Sequence, residues 1–183
     1  MCLRYLCHFE VFAAVPTKGS ISLSNISIIT SAPLAQLTSV LRMAATSGLF
    51  TILALERVAH SAASLLLATS PEFNAWATCV TQYQFDASSK LALANERWGR
   101  SDEMRHSPFS MAFGTDMTFP EYLGQNPLMA RTMGQFLSAT QMVDSNSPRH
   151  LVASYDWKGL GVATIVDVSC DIKSELIDMR SSK

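Results

Sequence analysis

The run Ala163-Thr164-Ile165-Val166-Asp167-Val168 has the β-branched, apolar content of a fully buried strand, and only fifteen residues follow it, the last being Lys183. A single strand cannot build a parallel sheet, and a βαβ unit needs about thirty residues. Most of the fold must therefore come from the residues before Ala163. Those residues read mainly as helix.

Leu3, Leu6, Cys7, Val11 and Ala14 follow a period near 3.6, which predicts a first helix over Leu3–Val15, ended by Pro16. "TKGSIS" reads as a turn leading into a short extended Ser-Ile-Ser, and "LSNISIIT" as a short helix or irregular turn. In the next helix Ser31 is placed to cap, Pro33 falls in the first turn, and Leu34, Leu37, Leu41 and Ala44 or Ala45 form one stripe. Gly48 supplies a left-handed C′ residue. "LFTILALERVAHS" reads as a hairpin, with strands at Leu49–Leu53 and Val58–His60. Helical periodicity returns in "SAASLLLA" and from Ser70-Pro71-Glu72 to near Gly99, then at Thr118–Leu123 and Pro127–Met142. Three short helices and a two-stranded wing make a winged-helix module.

Lys and Arg number 14 against 15 Asp and Glu, with no basic run, so the footprint required by nucleic acid or an anionic membrane is missing. The helix Pro33–Ser47, which would enter a DNA groove, carries one cation, Arg42. Charged residues make up 16%, below the usual share of about 25%, and mean hydropathy is +0.17, so apolar surface is left for a partner subunit to cover. Cys2, Cys7, Cys79 and Cys170 match neither a disulfide framework nor a zinc ligand set. No window is apolar enough to span a membrane. A reducing, cytoplasmic location is expected.

Several phrases together carry a more specific signal: "FEVFAAVPTKGSIS", "LTSVLRMAATSGLF", "ERVAHSAASLLLATSPEFNAW", "FSMAFGTDMTFPEYLGQNPLMARTM" and "SYDWKGLGVATIVDV". In this order they resemble the N-terminal half of the S-adenosylmethionine-dependent O-methyltransferases of the plant caffeate type and of fungal secondary metabolism. The resemblance runs from Leu3 to Val168. It implies a mainly α fold in three parts: a winged-helix dimerisation domain over 1–100, a helical linker and acceptor-pocket segment over 101–150, and over 151–183 the one-strand start of a doubly wound α/β domain with an unrelated tail. It also implies methyl transfer to a hydroxyl of an aromatic or polyketide-like metabolite.

The family's first strand runs into V-D-V-G-G-x-x-G, whose glycines let the backbone approach the donor. Here Ser169, Cys170 and Asp171 follow Val168, and no glycine comes after them. The chain is therefore expected to bind S-adenosylmethionine poorly and to be inactive alone, as a truncated enzyme would be. Asp167 is the one residue that the resemblance sets inside the cofactor motif, and it serves equally as a polar strand terminus. Phe113, Phe136 and Met142 would face the acceptor, although apolar residues at helical spacing also suit a core. None of His8, His60, His106 and His150 maps to the family's catalytic base, no metal site is expected, and no catalytic residue is assigned. Partnership is expected as a homodimer or with a full-length methyltransferase, through the first helix around Leu3, Leu6 and Val11 and the helix Leu65–Gln82. A non-catalytic partner or a small-molecule-binding pathway protein is the alternative.

Overall fold

The computed structural model describes residues 1–143 and 148–161. The strand expected at Ala163–Val168, with Asp167 and Cys170, lies outside them. The chain divides into two compact units, Met1–Ala139 and Thr140–Lys183.

The first unit is mainly helical with one small antiparallel sheet. The first helix is split where the sequence predicts continuity: α1 (Cys2–His8) and α2 (Val11–Ala14) flank Glu10, which takes a left-handed conformation at φ 52° and ψ 33°. The apolar period survives the split because both pieces turn the same residues inward. Leu6, Val11 and Phe12 are almost wholly buried, together with Val15. Leu6 and Val11, expected at a subunit interface, are instead part of the chain's own core, with Leu3 packed against it. Arg4 fixes α1 from the other side through a two-pronged pair with Asp86, at 2.5 and 2.9 Å.

β1 (Ile21–Ser22) leads directly into α3 (Leu23–Thr30), where the Ser22 hydroxyl accepts from the Asn25 amide. Ser31 does not cap the following helix: it closes α3 in a left-handed conformation at φ 56°. Pro33 stands just ahead of α4 (Leu34–Thr46) rather than in its first turn. Its fixed φ suits that junction, and the missing N–H costs nothing there. Leu37, Leu41 and Ala44 form the buried stripe of α4, and Gly48 follows it at φ +75°. The expected hairpin is present as β2 (Phe50–Leu53) and β3 (Arg57–His60), with Phe50 opposite His60 and Leu53 opposite Arg57. β3 is central, since Ile21 also pairs with Val58 and gives the order β1-β3-β2. At the hairpin tip Leu55 and Glu56 both have positive φ, and Arg42 of α4 donates to Glu56 at 2.8 Å.

α5 (Ala62–Thr69) opens with a capping box between Ser61 and Ser64. The helix expected over Leu65–Gln82 is interrupted at Ser70, whose side chain caps α6 (Pro71–Thr78) while Pro71 occupies the first turn. A proline here cannot supply the amide that a continuous helix would need. α6 runs into a π-helical segment, Cys79–Gln84, and on into α7 (Phe85–Ser89) and α8 (Leu91–Trp98), which ends at Gly99 with φ +57°. α9 (Pro108–Phe113) and α10 (Phe119–Gln125) follow, the second with a Thr118/Glu121 capping box, and α11 (Pro127–Met142) has the expected bounds.

The second unit holds, among its described residues, the end of α11, α12 (Pro148–Ser154) and a 3-10 turn at Trp157–Leu160. Tyr155 and Trp157 pack with ring centroids 4.8 Å apart, and the Gly159 amide donates to Asp156 Oδ1 at 3.1 Å.

Candidate functional site

Phe113 closes α9 just before Gly114, whose left-handed φ of 59° ends the helix. Its ring lies 4.6 Å from Phe109, 5.7 Å from Tyr122 and 6.2 Å from Tyr83. Phe109 adds edge contacts to Phe119 and Tyr122. Phe113 therefore belongs to a five-ring cluster built by the π segment, α9 and α10. Such edge and offset contacts fix ring orientation as well as burying area. Ser110, 3% exposed, ties the cluster to the backbone by donating to the Met117 carbonyl at 3.3 Å. Phe136 is half-buried on α11, and Met142, near the end of that helix, is 58% exposed. The described contacts do not join either residue to the Phe113 cluster.

Tyr83 faces both this cluster and a furrow that sequence reasoning missed. The furrow has a volume of about 400 Å3, and Glu10, Asn74, Thr78, Gln82, Tyr83 and Thr132 are among its lining residues. A second hollow of about 270 Å3 shares Asn74, Thr78 and Thr132 and continues it past Ser70 and Gln135. Burial first, then the neighbouring Cys79, pushes the Tyr83 phenol above its ordinary value. Burial likewise pushes the Cys7 and Cys79 thiols up to about 11. At neutral pH both are thiols rather than thiolates and are weak nucleophiles.

The described histidines are held by their surroundings. His60 Nε2 lies 3.0 Å from the Val15 carbonyl, which can only accept, so this nitrogen carries the proton. Its Nδ1 then accepts from Ser64 Oγ at 2.9 Å, while the ring stacks on Phe50. His106 stacks on Trp98 at 5.0 Å and 7°, with Ser101 Oγ 2.7 Å from Nδ1. His8 stands edge-on to Phe9 beside the furrow. Among the described residues no group of three His, Cys, Asp or Glu side chains could hold a metal. No described helix is long and apolar enough to cross a membrane.

No protein-family model matches the chain. Individual proteins do. O-methyltransferase aoiF of Aspergillus oryzae is 34% identical over 91% of this chain and 40% of its own length. O-methyltransferase VdtC of Byssochlamys spectabilis is 31% identical over 91% of the chain and 38% of its own length. The fold matches a crystal structure of OxaC with a TM-score of 0.68 and 22% identity, over 86% of this chain and 39% of that one. OxaC has also been crystallised with SAH and oxaline. This chain is therefore a homologue of the fungal O-methyltransferases, and it spans about two-fifths of their length.

Proposed function

We propose that the chain supplies the helical, subunit-pairing and acceptor-lining portion of an S-adenosylmethionine-dependent O-methyltransferase that modifies a hydroxyl of an aromatic or polyketide-like metabolite. The observation that carries this reading is the identity to aoiF across nearly the whole chain. Residues 1–100 are the winged-helix part, with α4 and the β2–β3 wing following α3. Residues 101–150 are the linker, in which Phe113, within its ring cluster, and Phe136 are the residues that face the acceptor. Residues 151–183 begin the donor-binding part, where Asp167 would stand near the amino-acid end of the donor. S-adenosylmethionine, when bound, supplies the methyl group. The described residues contribute position and exclusion of water, with His60 fully engaged in its own hydrogen bonds and the thiols protonated.

On this reading the chain does not transfer methyl groups alone. It pairs with a second copy or with a full-length methyltransferase. Of the two expected contact faces, the first helix is occupied by the core, whereas α5 and α6 keep Leu66 and Trp76 exposed at 44% and 39%. Pairing therefore rests on α5 and α6.

Calorimetric titration of the chain with S-adenosylmethionine and with S-adenosylhomocysteine tests the proposal. The expected result is no heat at high micromolar ligand. Stoichiometric binding would overturn the non-catalytic assignment and make this chain a donor-binding enzyme in its own right.

A further inference from the structure

Two departures from regular backbone deliver side chains into the same furrow. Glu10 stands at the α1–α2 break in a left-handed conformation that a non-glycine residue adopts at a cost of about 1 kcal/mol or more. Gln82 and Tyr83 belong to the π segment, a form found mostly as a local widening of a helix and frequently at functional sites. Both the Glu10 carboxylate and the Gln82 amide lack a side-chain partner among the described residues, although both line the furrow. Asn74 donates its Nδ2 to the Leu67 carbonyl at 3.2 Å, which leaves its Oδ1 to accept.

The unused groups are the Glu10 carboxylate, the Asn74 amide oxygen and the whole Gln82 amide, with the His8 ring also in the lining. No Lys or Arg lines the furrow, and His8 is the one basic side chain in its lining, so an anion would meet the Glu10 carboxylate with no permanent cation beside it. Tyr83 adds aromatic surface, which favours a flat organic body and attracts a cation over its ring face. A volume of about 400 Å3 falls in the range of small-molecule sites.

We propose that the furrow between Glu10 and Gln82 is a binding site for small aromatic molecules carrying a protonated amine. The ammonium group sits against the Glu10 carboxylate, the amide oxygens of Asn74 and Gln82 accept from its remaining donors, and the ring lies toward Tyr83. Binding at this site requires no S-adenosylmethionine.

The test uses the isotope-labelled full chain near neutral pH, with amide-correlation NMR spectra as the readout. Three probes share one ring: tyramine carries the amine, 4-ethylphenol lacks it, and 3-(4-hydroxyphenyl)propionate carries an anion. Tyramine at low-millimolar concentration is expected to shift the backbone amides of Glu10 and Gln82 and the side-chain amides of Asn74 and Gln82. The neutral probe should bind more weakly, and the anion should shift none of these signals. Glu10→Gln should weaken tyramine by up to about fivefold, the range of an exposed ion pair, and leave 4-ethylphenol unchanged. Because Glu10 is exposed and unpartnered, the variant's own spectrum verifies its fold. Equal binding of tyramine and 4-ethylphenol, shifts confined to another surface, or no shifts at all would each overturn the proposal. Neither result depends on whether the chain binds a methyl donor.

Discussion

Ser64 is fully buried and is tied to its neighbours through its hydroxyl and its backbone amide alike. It accepts from the Ser61 amide at 2.9 Å, donates to His60 Nδ1, and through its own amide bonds the Ser61 hydroxyl. Ser64→Ala leaves the Ser61 amide and a histidine nitrogen without partners in the interior. The expected loss is about 1–3 kcal/mol, read as a lower urea midpoint at unchanged slope. The thiols give a prediction with a sign. Burial holds Cys7 and Cys79 near 11, above their ordinary 9.0, so on raising the pH the unfolded chain releases these protons first. Their contribution to stability is complete below pH 9 and is lost as pH climbs through 11. Chemical denaturation at intervals across that window should show stability falling, and alkylation of both thiols at pH 8 should be slower than that of glutathione.

Elements were legible where punctuation residues dominate. Gly48, the Ser70-Pro71 opening, Gly99 and the Pro127 start all lie where the sequence puts them, because these residues restrict backbone angles whatever surrounds them. The break at Glu10 was not legible, since no glycine or proline marks it and the apolar period runs straight through. Ser31 misled because its residue type suits an N-cap, while its left-handed geometry ends α3 instead. The Phe113 cluster escaped because it joins three separate elements, and periodicity reports only on neighbours within one element. Two glycines with open space around their Cβ positions should respond oppositely to the same change. Gly48→Ala forces a methyl group onto φ +75° and should cost about 1 kcal/mol. Gly134→Ala, inside α11 without a positive φ, should add about 0.5–1 kcal/mol. Thermal melts of the two variants beside the parent chain check both signs.

At the scale of the whole molecule, apolar surface remains uncovered on the helices that follow the sheet, including Phe85 at 60%, Leu91 at 54% and Leu66 at 44%. Sedimentation at micromolar concentration is expected to show a mass above that of the 20.0 kDa chain, and Trp76→Glu should return it toward the monomer. A variant that sediments unchanged from the parent would remove α6 from the pairing face. The π segment adds a mechanical consequence. A wide turn absorbs one residue more than the α-helical turn it replaces, so it acts as a phase shifter between α6 and α7. Deleting one residue within Cys79–Gln84 would let the turn rewind as α-helix with everything beyond it still in phase, whereas rewinding it with all six residues kept would rotate α7 by about 100°. In that rewound, undeleted helix Asp86 would swing off Arg4, so it is the wide turn that keeps α1 latched, and a single lost codon within it would leave the latch in register.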